Sequence, residues 1–133
     1  MLDVDERHDH LIFVVGDAGV GKSEAVRTLN GHVVLLFEIH EGLGPTLPPY
    51  SADCLHLILM DTSEREAALR RAPGAFVIAI DRHPRWIIAA PGVHWVVHNT
   101  GTIASLRDSF QCLFDRHCRE VYLLRCIERF SLQ

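Results

Sequence analysis

Five apolar segments of this chain are continuous rather than alternating in polarity. They comprise residues 11–15, 33–37, 55–60, 76–80 and 95–97. Strands that are buried on both faces have this pattern, and such strands occur in parallel sheets that are covered by helices. The pattern therefore predicts a mostly parallel sheet of about five strands flanked by helices.

Helix-forming segments separate the predicted strands. Residues 23–29 follow the first strand, and residues 62–72 are rich in helix formers and stop before Pro73. From Thr102 onward apolar residues recur at helical spacing, either as one long helix or as two with a break near residues 117–119. The alternating order predicts a three-layer α/β fold with ligands at the carboxyl ends of the strands. Residues 11–133 would form its single domain, behind a charged and frayed leader of residues 1–10.

A glycine-rich segment follows the first predicted strand directly. It consists of Gly16, Asp17, Ala18, Gly19, Val20, Gly21, Lys22 and Ser23, and it matches the pattern G-x-x-x-x-G-K-[ST] at every fixed position. Its glycines allow successive backbone N–H groups to point at phosphate oxygens, and the helix that begins near Lys22 adds its positive end. Lys22 is expected to reach the β- and γ-phosphates, and the Ser23 hydroxyl to bind Mg²⁺. The segment predicts a P-loop that binds a nucleoside triphosphate.

Composition narrows the class of protein further. The chain has 133 residues, 48% of them apolar, which suits one domain with a sizeable core. A net charge of -4 offers no basic footprint for nucleic acid. No apolar run has the length of a membrane span, and the start of the chain has no apolar signal core. We therefore expect a soluble, cytoplasmic protein whose four cysteines are free thiols.

Three further features bear on partners, metals and function. One edge of the predicted sheet stays open after residues 95–99, which predicts a protein partner or a homo-oligomer. The nine histidines show no third ligand at a spacing that suits zinc, so they are expected on the surface or in the core. The segment 42–50, rich in glycine and proline, predicts a long mobile loop that carries function.

Asp61 follows a buried strand, the usual position of a second magnesium ligand in P-loop enzymes. At this point the chain resembles the Ras-like small GTPases, from about residue 11 to residue 101. Besides the P-loop, four segments carry the resemblance. Gly44-Pro45-Thr46 is similar to switch I, and Asp61-Thr62-Ser63-Glu64-Arg65-Glu66 is similar to switch II. The apolar strand Gly74-Ala75-Phe76-Val77-Ile78-Ala79-Ile80-Asp81 matches the strand that follows in that family, and Val96-Val97-His98-Asn99 stands where a guanine-reading motif would begin. The resemblance implies that Thr46 binds Mg²⁺ and senses the γ-phosphate, and that Asn99 contributes to the nucleotide site.

The chain departs from that family at several positions. Glu64 stands where the family has a glycine that contacts the γ-phosphate, and Arg65 where it has the glutamine that positions water. The segment that begins at Asn99 lacks the aspartate that pairs with guanine. The resemblance therefore implies a GTPase-like switch or assembly component that binds Mg²⁺ and GTP, or ATP, with slow or no hydrolysis. Lys22, Thr46 and Arg65 are its catalytic candidates.

Two other classes stay open. Small nucleotide and nucleoside kinases share the strand–loop–helix start, and Asp81-Arg82-His83-Pro84 resembles a segment of herpesviral thymidine kinases. In a kinase, Asp61 or Asp81 would orient the acceptor hydroxyl, and Arg65, Arg70, Arg71, Arg82 or Arg85 would neutralise the transferred phosphoryl group. The third class is a P-loop fold that serves as an interaction module without turnover.

Overall fold

The computed structural model describes residues 7–31, 35–82 and 92–131. The strands are β1 (Leu11–Val15), β2 (Leu36–Glu41), β3 (Cys54–Met60), β4 (Phe76–Asp81) and β5 (Trp95–His98). The helices are α1 (Lys22–Val26), α2 (Arg65–Arg71), which follows a 3₁₀ turn at Thr62–Glu64, and α3 (Ile103–Ser131). The predicted order of elements is confirmed, and the apolar stripe from Thr102 onward forms a single helix.

All the strands are parallel and form one sheet in the order β2-β3-β1-β4-β5. The predicted α/β sheet of about five strands is therefore present. β1 lies at the centre, and its side chains are buried on both faces, as the continuous apolar run predicted.

Helices cover both faces of the sheet, and on one face the chain between β2 and β3 also contributes to the cover. On one face, Phe110 and Phe114 of α3 and the apolar residues of α1 form a core with alternate strand residues. On the other face, α2 contributes Ala68, Ala72 follows directly after the helix, and Leu43 and Leu47 pack against the same cluster. Because successive side chains of a strand point to opposite faces of the sheet, each strand residue can contact only the helices and loops on its own face.

β2 lies farther along the chain than predicted. The apolar run 33–37 pointed to a strand there, but residues 32–34 lie outside the described part, and the strand runs from Leu36 to Glu41. β2 is an edge strand with mixed polarity: Phe37 packs against the core, whereas Glu38 is exposed. A search for continuous apolar runs misses a strand of this kind because only one of its faces meets the core.

The connection from β2 to β3 crosses a face of the sheet without a helix. Parallel neighbours need a crossover, which is usually helical, and here residues 42–53 make it in irregular conformation. Arg71 donates a hydrogen bond from Nη2 to the Pro45 carbonyl at 3.0 Å, and His10 Nε2 lies 2.7 Å from the Pro48 carbonyl oxygen. The segment predicted as a mobile loop is thus a covering layer that is anchored at these points, and we call residues 42–53 the crossover segment.

The end of the predicted leader packs against α3. Arg7 donates two hydrogen bonds to the Glu128 carboxylate, and Arg125, which is 3% exposed, donates from Nη1 to Asp9 at 2.9 Å. His10 is buried. The fraying expected for the leader therefore does not apply to residues 7–10. Among the described helices, none is long and apolar enough to cross a membrane. Residues 86–88, a candidate extra strand or apolar edge, lie outside the described residues.

Candidate phosphate-binding site

The glycine-rich loop leaves β1 at the carboxyl edge of the sheet and curls. The Gly16 N–H still donates to the Met60 carbonyl at 3.2 Å, which continues the pairing of β1 with β3. Beyond it, Gly19 and Gly21 have positive φ angles of 77° and 107°, and α1 begins at Lys22. A bond from the Val20 N–H to the Asp17 carbonyl at 3.2 Å closes a turn within the loop. The backbone is therefore bent, as a phosphate-binding loop requires.

Gly21 cannot be replaced without strain. Its φ lies where L-residues rarely go, and a Cβ there would sit 2.9 Å from Leu106 Cδ2 and 3.0 Å from Asn99 Nδ2. The loop is thus pressed closely against α3 and the end of β5. The second glycine of the pattern is needed for both its backbone angle and its lack of a side chain.

Lys22, the sole lysine in the sequence, folds back over the loop. Its ammonium group donates a hydrogen bond to the Gly16 carbonyl oxygen. This contact keeps the positive charge at the mouth of the loop. A phosphate oxygen that entered the loop could take the place of the carbonyl, because both are hydrogen-bond acceptors for the same ammonium.

Asn99 connects the loop to the far strands. Its backbone N–H donates to the Asp81 carbonyl at 2.6 Å, and its side-chain Nδ2 donates to the Val20 carbonyl at 2.8 Å. The amide of Asn99 therefore holds the loop in position. If Asn99 also contacts a nucleotide, the oxygen of its amide is the atom that remains available.

A cavity of about 340 Å³ opens beside the loop. Its lining consists of Ala18, Gly19, Gly21, Lys22, Ser23, Glu24, Arg82, Asn99, Ile103 and Leu106. Lys22 and Arg82 supply positive charge, whereas Glu24 is already paired with Arg107 at 2.7 Å. That hydrogen bond from Arg107 also lowers the pKa of Glu24. The cavity thus presents two cations to an anion, beside an apolar wall from α3.

Most of the predicted site residues of the loop, together with Asn99 directly after β5, are brought together here. Of the predicted loop, Gly16, Asp17 and Val20 do not line the cavity: Gly16 and Val20 are buried beneath it, and Asp17 is exposed. From the sequence, Arg82 was expected at the site only in a kinase, and the wall formed by Ile103 and Leu106 was not predicted. Their only signal was a position soon after a predicted strand, where the carboxyl edge of a parallel sheet collects side chains.

Asp61 lies at the carboxyl end of β3, directly after Met60, whose carbonyl accepts the hydrogen bond from the Gly16 N–H. Its carboxylate accepts hydrogen bonds from the Ser63 N–H at 3.0 Å and from the Ser63 hydroxyl at 2.7 Å. These bonds, together with the charge of Lys22, lower the pKa of Asp61. Asp61 is therefore an anion beside the start of the loop, which suits the predicted magnesium role.

Thr46 and Arg65 lie apart from this cavity. Thr46 belongs to the crossover segment and lines a different cavity, of about 700 Å³, together with residues of β2 and β3. Arg65 begins α2 and is half-buried, and within the described segments its Nε has no hydrogen-bond partner. The role of Thr46 in binding Mg²⁺ stays a prediction.

Comparison with protein-family models, with curated proteins and with solved structures gave no match.

Proposed function

We propose that this chain binds a Mg²⁺–nucleoside triphosphate, with GTP preferred over ATP, and acts as a small GTPase-like switch or assembly component. The observation that carries the proposal is the curled loop of residues 16–23, with Lys22 folded over it and an open cavity beside it. The loop leaves β1, which lies between β3 and β4 where the strand order reverses. Open α/β sheets bind ligands at such a point.

The chemistry of the cavity suits a phosphate tail. Backbone N–H groups of the loop, the Lys22 ammonium and the Arg82 guanidinium would share the negative charge. α1 is a short helix of 5 residues, so its dipole adds little, and affinity would rest on the loop and the cations. Ser23 and the anionic Asp61 are the proposed ligands of Mg²⁺, the latter through water.

Slow hydrolysis follows from the switch II-like segment. Arg65 carries only donor groups, so it cannot accept a hydrogen bond from an attacking water as the glutamine of the Ras-like family does. The Asp61 carboxylate is held by Ser63 and starts the 3₁₀ turn. Bound triphosphate would therefore persist, which suits a switch or an assembly component that responds to its presence.

A phosphotransferase is the second candidate, and the position of Arg82 favours it. Arg82 lines the loop cavity and follows Asp81, which is buried at the end of β4. An arginine in this place could stabilise charge on a transferred phosphoryl group. His83, Pro84 and Arg85 of the kinase-like segment lie outside the described residues.

Nucleotide binding by the purified chain tests the proposal. GTP, GDP, ATP and ADP would be titrated calorimetrically with and without Mg²⁺. We expect Mg²⁺-dependent binding with GTP ahead of ATP. A preference for ATP with phosphate passed to an acceptor would favour the kinase. If none of the four binds to the folded protein, the proposal is wrong and an interaction module is left.

Lys22 provides a sharper readout because the sequence contains no other lysine. Lys22→Ala should abolish triphosphate binding. Arg27→Ala is the matched control, because it removes the same charge from the exposed end of α1, where Arg27 pairs with Glu24 at 3.4 Å. Bound triphosphate should also protect Lys22 from amine acetylation in mass spectrometry. Equal losses in the two variants would show that only net charge matters.

Thr46→Ala tests the switch part of the proposal separately. If Thr46 is a switch I residue, removal of its hydroxyl should weaken Mg²⁺-dependent GTP binding. If GTP affinity and the conformation of the GTP-bound protein stay unchanged, Thr46 is not a switch residue, while the phosphate site itself is untouched.

A further inference from the structure

The pairing of β2 with β3 brings two histidines and a glutamate to one face of the sheet. Glu38 and His40 lie two positions apart on β2, so they share a face, and Glu38 is the register partner of His56 on β3. The spacing along the sequence gave no hint of this cluster, because its members come from strands joined by the crossover segment. We call Glu38, His40 and His56 the histidine–glutamate cluster.

The donor atoms of the cluster converge. His40 Nε2 lies 2.9 Å from His56 Nδ1, and the Oε2 atom of Glu38 lies 3.3 Å from His56 Nδ1 and 3.6 Å from His40 Nε2. A tetrahedral ion with ligand distances of about 2.0–2.1 Å separates its donor atoms by about 3.3 Å. The three observed separations bracket that value, so one ion can reach all three atoms with small side-chain movements.

The three facing atoms of the cluster are one carboxylate oxygen and two imidazole nitrogens. If His40 carries the hydrogen between the two facing nitrogens, the Glu38 oxygen faces a lone pair of His56, whereas a hydrogen on His56 can be shared with Glu38. A cation between the three atoms is the alternative arrangement, in which all three contribute lone pairs. An imidazole binds a metal ion through a ring nitrogen that carries no hydrogen, and a neutral ring has one such nitrogen.

The cluster also has an open side. Glu38, His40 and His56 all line the cavity of about 700 Å³ that the crossover segment partly covers through Thr46 and Pro48. His56 is 8% exposed and lies at the base of this cavity, whereas Glu38 is exposed and free to adjust. An ion held by three protein ligands would therefore keep a coordination position for water or a small anionic ligand.

We propose that the histidine–glutamate cluster binds a divalent transition-metal ion of the zinc class, with one coordination position open to the cavity. Two imidazoles and one carboxylate are a donor set that suits zinc and its neighbours rather than Mg²⁺, which prefers oxygen ligands. Three protein ligands with an open position are typical of reactive rather than closed structural zinc sites.

This site is distinct from the proposed magnesium site. His56 pairs with Leu11, whereas the phosphate loop begins at Gly16, five residues farther along β1. At about 3.3 Å per residue the two sites are about 16 Å apart. Metal binding at the cluster therefore does not depend on the proposed nucleotide function and can be tested without nucleotide.

The test is a titration of the full chain with Zn²⁺ against a chromophoric chelator, with the cysteines kept reduced. We expect one ion per chain. His40→Ala is the primary variant, because His40 lies on the edge strand and its side chain is 36% exposed, so the fold should survive its loss. Each of His40→Ala and Glu38→Gln should weaken Zn²⁺ binding at least about tenfold. Loss of a residue that only supports a metal ligand already weakens metal affinity by about tenfold, so loss of a ligand itself should weaken it by at least as much.

Matched controls separate the cluster from other donors. His98→Ala removes an exposed histidine at the opposite edge of the sheet and should leave affinity unchanged. Cys54→Ser tests the nearest alternative, since Cys54 begins β3 and its pKa is raised by burial and by the charge of Glu38. Co²⁺ bound at the cluster should show ligand-field bands without a thiolate charge-transfer band.

Two results would overturn the proposal. One is Zn²⁺ affinity that survives His40→Ala and Glu38→Gln in folded protein. The other is affinity lost in Cys54→Ser with a thiolate band for Co²⁺, which would place the metal on cysteine instead. Circular dichroism of each variant, compared with the unaltered chain, verifies that the fold is retained.

Discussion

Replacing Gly21 by alanine tests the conformation of the glycine-rich loop of residues 16–23 without any ligand. Gly21 has φ of 107°, and a left-handed conformation costs an L-residue about 1–2 kcal/mol. The added methyl group would lie 2.9 Å from Leu106 Cδ2 and 3.0 Å from Asn99 Nδ2. Carbon atoms prefer about 3.5–4.0 Å, and overpacking of this kind costs about 1–3 kcal/mol. Gly21→Ala should therefore lower the free energy of unfolding by about 2–5 kcal/mol.

Gly19→Ala is the matched control within the same loop. Gly19 also has positive φ, at 77°, but a Cβ there would meet nothing within 4 Å. Only the backbone term applies, so the expected loss is about 1–2 kcal/mol. The difference between the two variants, about 1–3 kcal/mol, isolates the contact with α3 and Asn99.

Urea unfolding followed by circular dichroism measures both losses, provided that the slope of the transition is unchanged between variants. A double variant with Leu106→Ala adds a second check. If the clash is with Leu106, the two substitutions should destabilise less together than the sum of their separate effects. Equal losses for Gly21→Ala and Gly19→Ala, or strict additivity with Leu106→Ala, would show that the loop does not pack as described.

Three further predictions concern the contacts around the site and the core. Asn99→Ala should destabilise the fold by about 1 kcal/mol, because the hydrogen bond from the Asn99 side chain to the loop is lost. Asn99→Asp should weaken triphosphate binding more than Asn99→Ala does, because it adds a negative charge, and calorimetric titration of the two variants compares their affinities. Arg125→Met should cost about 1–3 kcal/mol in urea unfolding at neutral pH, since Asp9 loses a buried partner but keeps Arg7. Burial raises the pKa of Asp9, but the hydrogen bonds from Arg7 and Arg125 outweigh it and lower the pKa below 3.8, so this stabilisation is full above pH 3.8 and is lost as the pH falls below it. Burial lowers the pKa of His117 from 6.5 to about 4, so the unfolded chain gains a proton first and stability falls as the pH drops between those values. The loss should reach about 3 kcal/mol at the lower end. His117→Phe should flatten that part of the pH profile, and an unchanged profile would contradict the burial of the ring.

Several parts of the fold could be predicted because their causes are local. The runs at 11–15, 55–60 and 76–80 became β1, β3 and β4 with nearly the expected bounds, since strands buried on both faces consist mostly of apolar residues. The glycine pattern likewise indicated a bend, and positive φ angles occur at Gly19 and Gly21. Local steric limits on backbone angles suffice for that inference.

Other parts depended on contacts that no local pattern contains. β2 was placed too early because an edge strand is buried on one face only, and its mixed sequence resembles a loop. The crossover segment was expected to be mobile, yet Arg71 and His10 hold its carbonyl groups from distant elements. Thr46 lies on this covering layer and lines a different cavity from the one beside the glycine-rich loop, and its Mg²⁺ role stays a prediction.

By itself, the sequence determined the parallel sheet and the curl of the glycine-rich loop, because burial and backbone sterics act on neighbouring residues. Only the tertiary structure decided which distant side chains meet. Strand order set Asn99 against the loop and Arg82 in its cavity. Strand register set Glu38 opposite His56. A shift of one residue in that register would turn the β2 side chains to the other face, so the cluster exists only because packing across the whole sheet selects one alignment.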